Sequence, residues 1–250
     1  MTGSIIYFGD TALGGAAAYL AGLLNHWELQ YDYVPSNVVA DASLFAAERS
    51  LFVLSDYPAA MMDERLQRLL LAQVEQGAGL LMCGGWESFH GQGGDWNGTP
   101  IGNALPVEIA DADDRVNCDR PVLVRRVCDH PAVAGLPWDE RPPVIGGYNR
   151  VRAKPEASVL LEARQYAARF EGDACVFEPA ERDPLLVVGS WGEGRTAALT
   201  TDVAPHWVGP LVDWGLQRTS AQTPGAEAVE VGSDYARFLR QLIGWLSRAE

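Results

Sequence analysis

The sequence has 250 residues, of which 48% are hydrophobic, and this suffices for one large core in a single domain spanning residues 1–250. Its 33 acidic and 19 basic residues give a formal charge of −14, which disfavours partnership with nucleic acid or with an anionic membrane surface. No apolar run approaches the ~20 residues that span a bilayer, and residues 1–4 lack the basic region of a signal peptide, so we expect a cytoplasmic protein.

The first third of the chain alternates short apolar runs with helical patterns. Residues 4–8, 29–34, 51–55 and 79–83 are predicted strands, because each run is apolar and most end at Gly, Asp or Pro. One helix precedes the second strand, with an apolar face formed by Leu13, Ala17, Leu20, Leu24 and Trp27. Strands that are apolar on both faces and alternate with helices predict an α/β fold with a parallel sheet covered on both sides.

Another helix precedes the fourth strand, where Asp63 is a candidate N-cap and Gly77 a candidate stop. After the fourth strand, residues 84–110 form a long loop rich in glycine and aromatic residues, which is typical of functional loops.

The second half of the chain predicts added antiparallel strands without intervening helices, at residues 121–127, 158–162, 184–189 and 195–200. The last two of these are expected to pair as a hairpin around a Gly-Glu-Gly turn. Small and polar residues over 216–232 predict a mobile loop, and residues 234–248 predict a final amphipathic helix.

Polar residues cluster directly after the predicted strands. In open α/β sheets, ligands bind beyond the carboxyl ends of the strands, so we expect the functional site where residues 83–95 and 202–207 meet. The alternative is that strand ends must turn and that turns favour Asp, Gly and Ser. That alternative explains Gly9 and Asp10 well, but it explains the aromatic and charged run from Trp86 to His90 less well.

Three side chains are candidates for proton transfer. Glu87 is a candidate general base, or else a loop carboxylate bonded to nearby backbone amides. Asp202 and His206 lie four residues apart after a strand, so they are either an acid/base pair or a helix cap beside a packed His-Trp corner.

Other residues of the same segments are candidates for ligand binding. The amides of a glycine pair can hold an oxyanion, a sugar or heterocycle site often has aromatic walls, and neighbouring polar side chains can orient the ligand. The predicted ligand-binding residues are Gly84, Gly85, Trp86, Ser88, Phe89, His90, Trp96, Trp207 and Asp56.

Metal and cofactor sites are not indicated. Glu87, His90, Asp202 and His206 are the available ligands, but no HxH or HxxxH spacing supports a metal centre. Neither GxGxxG nor a P-loop occurs in the chain. The four cysteines are widely spaced without a CxxC pair, which indicates reduced thiols, so we expect no metal and no cofactor.

Several collinear motifs resemble the putative glutamine amidotransferase family of the class I glutamine amidotransferase-like superfamily. The resemblance spans roughly residues 50–250 and is carried by Ser55-Asp56, residues 81–91, Gly98-Thr99-Pro100, Leu105-Pro106-Val107, residues 113–116, His130-Pro131, Gly135-Leu136, residues 147–150, Pro184-Leu185-Leu186, residues 192–195 and residues 202–207. This resemblance implies a flavodoxin-like three-layer α/β/α sandwich with a mostly parallel sheet.

The nucleophile segment departs from the superfamily pattern. Amidotransferases of this class place the catalytic Cys in a G-x-C-x-G turn before a helix, whereas Cys83 has Leu81 two residues earlier and no predicted helix after it. His130-Pro131 is similar to the superfamily's His-Pro-Glu, but Ala132 stands in place of Glu. Cys83 is then a buried strand residue rather than a nucleophile, and we expect no glutaminase activity.

Two functions remain for the predicted site. The first is the binding of a small polar molecule that is sugar-like or heterocyclic. This function extends to hydrolysis of the bound molecule if Glu87 or His206 acts as the base. The second is a non-catalytic module in which the same aromatic rim binds a metabolite or another copy of the chain, because aromatic surface also suits homo-oligomer interfaces.

Overall fold

The computed structural model describes residues 4–249, and of Pro121 it describes only the backbone. The strands are β1 (Ser4–Gly9), β2 (Tyr31–Val34), β3 (Arg49–Ser55), β4 (Gly79–Cys83), β5 (Val107–Glu108), β6 (Arg115–Arg126), β7 (Val144–Asn149), β8 (Arg152–Ala153), β9 (Ser158–Glu171), β10 (Ala174–Trp191), β11 (Gly194–Leu199), β12 (Arg218–Ala221) and β13 (Val229–Gly232). The helices are α1 (Ala17–His26), α2 (Glu64–Glu75), α3 (Pro100–Ala104), α4 (Pro205–Val212) and α5 (Ser233–Ser247).

Nine strands form one mixed sheet in the order β2-β1-β3-β4-β11-β10-β9-β6-β7. The four strands predicted from the first third of the chain are parallel neighbours, which confirms the α/β prediction, and β11 continues this parallel half. The strands β10, β9, β6 and β7 then add antiparallel partners, and the predicted hairpin between β10 and β11 is confirmed.

Each face of the sheet carries its own hydrophobic core. Along β1, Ile5 and Tyr7 contribute to one core, whereas Ile6 and Phe8 contribute to the other, because side chains alternate across a strand. Helices α1 and α5 pack on the first face and α2 on the second. The predicted flavodoxin-like three-layer sandwich is therefore the observed fold.

Local signals for α2 also hold. The Asp63 carboxylate accepts a hydrogen bond from the backbone N–H of Leu66 at 2.8 Å, as an N-cap does. Gly77 follows the helix with a φ of 118°, a conformation that glycine adopts without strain.

Residues 216–232 differ from the prediction of a mobile loop, because they contain the β12–β13 hairpin. Ala221 and Val231 are buried in the first core, and the Gln222 carbonyl accepts a hydrogen bond from Asn25 in helix α1. The polar composition reflects the connecting residues 222–228 and the exposed strand positions Arg218, Ser220 and Glu230.

Strands β9 and β10 are longer than predicted. Their pairing continues from Glu162 and Pro184 out to Glu171 and Ala174. Beyond Gln165, where the pairing of β6 with β9 ends, β9 and β10 form a two-stranded arm. Backbone hydrogen bonds between β9 and β10 hold the arm together beyond the apolar residues. The hydrophobic pattern of the sequence therefore does not predict the arm.

The candidate site lies at the carboxyl ends of the parallel strands. Cys83 and Leu199 are register partners on β4 and β11, so the loops that follow both strands leave the same end of the sheet. None of the helices within residues 4–249 is long and apolar enough to span a membrane.

Candidate functional site

Two aspartates follow neighbouring strands at equivalent positions. Asp10 follows β1 and Asp56 follows β3, and both adopt left-handed backbone conformations, with φ values of 49° and 50°. Non-glycine residues adopt this region rarely and at some conformational cost, although Asp tolerates it better than most. The Asp10 N–H donates to the Ser55 carbonyl at 3.2 Å, which fixes the two turns side by side.

A depression of about 280 Å³ opens over these two residues. It is lined by Asp10, Thr11, Ser36, Asp56, Trp86, Glu87 and Gln92, and we call it the aspartate depression. Trp86 is 54% exposed, and the Arg115 guanidinium lies 4.5 Å from the centroid of its ring. The depression therefore combines several polar side chains with one exposed aromatic surface, as small-ligand sites often do.

The carboxyl groups in the depression hold their protons unusually strongly. Burial, reinforced by the charge of Asp202, raises the pKa of Asp56 to about 8. The same two causes raise the pKa of Asp10 to about 7. Each also feels the charge of Glu87, whose own pKa is raised by burial. The depression thus contains carboxyl groups that change protonation near neutral pH.

Asp202 and His206 are in contact beside these carboxyls, and they form an ion pair when His206 is protonated. Asp202 is 4% exposed, and one of its oxygens accepts hydrogen bonds from the N–H groups of Val203 (2.6 Å) and Ala204 (2.9 Å). Its other oxygen lies 3.5 Å from Nδ1 of His206, whose exposed side chain has its pKa raised mainly by this contact.

The residue at the N-cap position of α4 is Ala204, so Asp202 stabilises the turn before the helix rather than serving as its N-cap. His206 also lowers the pKa of Asp10, which places the two groups in one electrostatic environment. Asp202 and His206 do not line the aspartate depression itself. The two loops therefore leave the same end of the sheet, but residues 202–207 do not line this depression together with the loop after β4, so the shared pocket stays a prediction.

Glu87 and Ser88 attach the loop after β4 to Asp56. The Glu87 N–H donates to Oδ1 of Asp56 at 2.7 Å, and the Asp56 N–H donates to the Ser88 hydroxyl oxygen at 2.9 Å. Ser88 is 1% exposed, so its hydroxyl orders the loop and does not face a ligand.

Two further buried residues hold this loop, and the residue-by-residue reasoning missed them. Asn149 accepts a hydrogen bond from the Gly85 N–H and donates to the Asp114 carboxylate at 2.7 Å. Asp114 in turn accepts from the N–H groups of His90 and Gly91, both at 3.0 Å. Asn149 and Asp114 both lie in segments that carry the family resemblance, and this resemblance was the sequence feature that pointed to them.

The glycine pair does not form the expected oxyanion site. The Gly84 N–H donates to the carbonyls of Leu199 (2.7 Å) and Thr201 (3.0 Å), and the Gly85 N–H is bonded to Asn149. These amides are already engaged, so the prediction that they bind a ligand is wrong. The glycines instead permit close packing, because a Cβ at Gly85 would lie 2.1 Å from Oδ1 of Asp56.

Three of the four predicted aromatic walls are core residues. Phe89 and Trp96 are fully buried in the second core, where the Trp96 indole donates to the Tyr57 carbonyl. Trp207 is 4% exposed and donates to the Asn117 side chain. These three predictions are therefore corrected, and Trp86 alone of the four keeps an exposed ring at the depression.

Cys83 is fully buried in the first core, and burial together with the neighbouring carboxylates raises the pKa of its thiol well above the ordinary value. The first helix after it, α3, begins only at Pro100. His130 packs edge-on against Trp245 at 4.8 Å, near the opposite, amino-terminal end of β11. Neither residue has the environment of a thiolate–imidazole pair.

His90 lies at the edge of the loop, with Nε2 3.9 Å from a carboxylate oxygen of Asp95. Its Nδ1 is buried without a hydrogen-bond partner within residues 4–249. Over the same residues, no group of three His, Cys, Asp or Glu side chains has an arrangement that could hold a metal ion.

Fold and site together define a flavodoxin-like α/β protein with an acidic site at the carboxyl ends of its parallel strands. The sequence matches the model of the putative glutamine amidotransferase family over residues 49–219, which is more than half of the chain. The chain therefore belongs to this family. No curated protein matches the sequence.

Solved structures share the fold over nearly the whole chain. The cytoplasmic protein STM3548 from Salmonella typhimurium superposes with a TM-score of 0.72 at 21% identity, covering 97% of this chain and 98% of that one. The cytoplasmic protein STM1381 from S. typhimurium LT2 gives a TM-score of 0.73 at 22% identity, covering 97% and 99%. A putative ThuA-like protein from Parabacteroides merdae superposes with a TM-score of 0.55 at 15% identity, covering 99% of this chain and 91% of that one. At these low sequence identities, the similarity to the solved structures shows a shared fold and nothing more.

Proposed function

We propose that this protein binds a small, uncharged polar molecule, sugar-like or heterocyclic, in the aspartate depression. The supporting observation is the pair Asp10 and Asp56, whose pKa values are raised to about 7 and about 8. Near neutral pH such a pair offers both a protonated carboxyl that donates hydrogen bonds and a carboxylate that accepts them. A ligand rich in hydroxyl groups or ring nitrogens can form hydrogen bonds with both carboxyl groups.

Trp86 supplies the apolar part of this proposed site. The Arg115 guanidinium lies over its ring, and Trp86 as a whole is 54% exposed. A sugar or heterocyclic ring packs on such a surface. A volume of about 280 Å³ suits a ligand of one or two rings better than a polymer.

Hydrolysis of the bound molecule is the second candidate function. Two adjacent carboxyls that titrate near neutral pH can act as general acid and general base in one site. In this proposal Asp56 donates the proton and Asp10 activates water. His206, held by Asp202, and Glu87 set the charge around them and are the further candidates for the base.

The binding proposal can be tested with a panel of neutral monosaccharides, disaccharides and nucleosides. We expect at least one to raise the melting temperature of the protein. Trp86→Ala should weaken its affinity by about 0.5–1.5 kcal/mol with little loss of stability, because the ring is exposed. Phe170→Ala is the matched control, because Phe170 is 80% exposed on the β9–β10 arm and should leave affinity unchanged.

Glu87→Gln and His206→Ala test whether these side chains serve the site or the fold. We expect weaker binding or slower turnover with nearly unchanged melting temperatures. Large melting losses with unchanged affinity would show a structural role. If no compound in the panel binds and the protein self-associates through the Trp86 surface, the non-catalytic module is the better assignment.

We also propose a cytoplasmic location. The four cysteines, Cys83, Cys118, Cys128 and Cys175, are free thiols, which suits a reducing compartment. The Salmonella proteins that share the fold are described as cytoplasmic proteins.

A further inference from the structure

A second depression lies at the opposite end of the sheet. Arg195 is the second residue of β11, at its amino end, whereas Asp202 follows the carboxyl end of the same strand. Six residues of strand separate the two ends by ~20 Å. This second depression has a volume of about 880 Å³ and also involves the last turns of α5. We call it the arginine depression.

Four arginines line it, namely Arg195, Arg237, Arg240 and Arg248, and no aspartate or glutamate within residues 4–249 is among the lining residues. None of the four is in an ion pair with any carboxylate of that part of the chain. In a chain with 33 acidic and only 19 basic residues, a concave surface with four arginines and no acid departs sharply from the average composition.

Aromatic rings and backbone carbonyls hold some of these guanidinium groups. Arg195 donates to the Trp245 carbonyl at 2.5 Å and lies 5.1 Å from the centroid of that ring. Arg240 lies 5.8 Å from the centroid of the Trp27 ring, and Arg248 donates to the Glu193 carbonyl. A guanidinium has five N–H donors, so these contacts leave most donors available.

Within residues 4–249, no salt bridge compensates the positive charge of these four arginines. Burial and the charge of Arg248 lower the pKa of Arg195, and burial with the charge of Arg195 lowers the pKa of His130. The C-terminus of α5 contributes a partial negative charge of only about half a unit. Four guanidinium groups exceed that charge several-fold, so the depression favours an anionic ligand.

We propose that the arginine depression binds a small phosphorylated molecule with two or more negative charges. Guanidinium groups bind phosphate oxygens in a bidentate manner, and several of them around one concavity match a diphosphate better than a single monoanion. A nucleic acid strand fits less well, because the net charge of −14 repels an extended phosphate backbone. This site is independent of the aspartate depression and of the function proposed for it.

Inorganic pyrophosphate is the probe for this site, with titration calorimetry as the measurement. We expect saturable binding that weakens as salt is added. The double variant Arg237→Gln/Arg240→Gln should weaken binding about tenfold or more, and neither side chain makes a hydrogen bond that supports the fold within residues 4–249. Arg68→Gln/Arg120→Gln is the control, because both residues are exposed and lie outside the depression.

Binding that disappears in Arg237→Gln/Arg240→Gln and survives in Arg68→Gln/Arg120→Gln supports the proposal. It is overturned if pyrophosphate binds no better than sodium sulfate at equal ionic strength, or if both double variants bind equally well. A single-stranded oligonucleotide that binds more tightly than pyrophosphate would also overturn it, in favour of a nucleic acid partner. Asp56→Asn should leave pyrophosphate affinity unchanged, which separates this result from the aspartate depression.

Discussion

Asp10 and Asp56 follow directly on Gly9 and Ser55, which are register partners on two parallel strands, and the backbones of both aspartates are left-handed. This arrangement places both residues at the same end of the sheet, where they line one depression. The charge of Asp10 raises the pKa of Asp56 only modestly, because burial and the charge of Asp202 are the larger causes. Burial and the charge of Asp202 should therefore govern the titration of both carboxyls more than their effect on each other does.

The first prediction concerns stability against pH. The pKa values of Asp10 and Asp56 rise from 3.8 in the unfolded chain to about 7 and about 8 in the fold. Between these values the two groups bind more protons in the folded state than in the unfolded state, so their contribution to stability falls as pH rises from about 4 to about 8. Asp56→Asn keeps the shape and removes the charge. We expect it to stabilise the fold by about 1–3 kcal/mol at about pH 8.5 and to change little at about pH 4.

Thermal melts across this pH range measure the effect, and ~1 kcal/mol corresponds to about 2–4 °C for a chain of this size. Asp10→Asn should act in the same direction. Asp111→Asn, at an exposed position, is the control and should follow the wild-type profile. A difference in melting temperature between Asp56→Asn and the wild type that does not grow from about pH 4 to about pH 8 would contradict the raised pKa values.

The second prediction concerns the bridge between Asn149 and Asp114. Asn149→Asp preserves the shape of the side chain, but it removes the N–H that donates to Asp114 and sets two carboxyls in contact. Because the bridge is buried, we expect a loss of about 1–3 kcal/mol. Amide hydrogen exchange at Gly85, His90 and Gly91 should accelerate, since these N–H groups depend on the two side chains.

Asn103→Asp is the control for the second prediction. Asn103 is exposed on α3, and its side chain makes only a long 3.4 Å contact with the Gly98 carbonyl. Melting temperature and exchange at the three loop amides should stay at wild-type values in this variant. Equal melting losses in Asn149→Asp and Asn103→Asp would show that the bridge does not hold the loop.

The third prediction concerns Cys83. Its thiol is buried with a raised pKa, whereas Cys128 and Cys175 are exposed. Iodoacetamide should label Cys128 and Cys175 in the native protein and reach Cys83 only after unfolding, as measured by mass spectrometry of digested protein. Neither the wild type nor Cys83→Ala should release ammonia from glutamine. Ammonia release by the wild type that Cys83→Ala abolishes would restore the amidotransferase assignment.

The sequence predicted β1 to β4 and α2 well because their signals are local. Apolar runs of five to seven residues, turn residues at their ends and the Asp63 cap all act within a few positions of the chain. The end of the sheet that carries the site could also be predicted, because the carboxyl ends of parallel strands necessarily lie together.

The details of the site depend on contacts that the local sequence does not contain. Asp10 was interpreted as an ordinary turn residue, and its raised pKa depends on burial and on Asp202, which is distant in the chain. Phe89 and Trp96 were assigned to an exposed wall, but the loop folds back so that the Trp96 indole reaches the Tyr57 carbonyl. Whether a loop aromatic faces solvent or core is decided by the path of the loop, and composition does not specify that path.

The last prediction concerns the contact between Gly85 and Asp56. A methyl group at Gly85 would lie 2.1 Å from one carboxylate oxygen of Asp56 and 2.3 Å from the other, far inside van der Waals contact. Gly85→Ala should therefore displace the Asp56 side chain, destabilise the fold and abolish ligand binding. Gly14→Ala is the control, because a methyl group there meets its nearest atom at 3.9 Å.

A double-mutant cycle identifies the cause of that destabilisation. Asp56→Gly removes the obstructing carboxylate and accepts the left-handed φ of 50° without strain. If the steric conflict is with the Asp56 side chain, Gly85→Ala should cost markedly less in the Asp56→Gly background than in the wild type, with a coupling energy of about 1–3 kcal/mol from urea unfolding. Additive costs would mean that Gly85 is required for another reason, and the close packing of the loop against Asp56 would then not determine the geometry of the site.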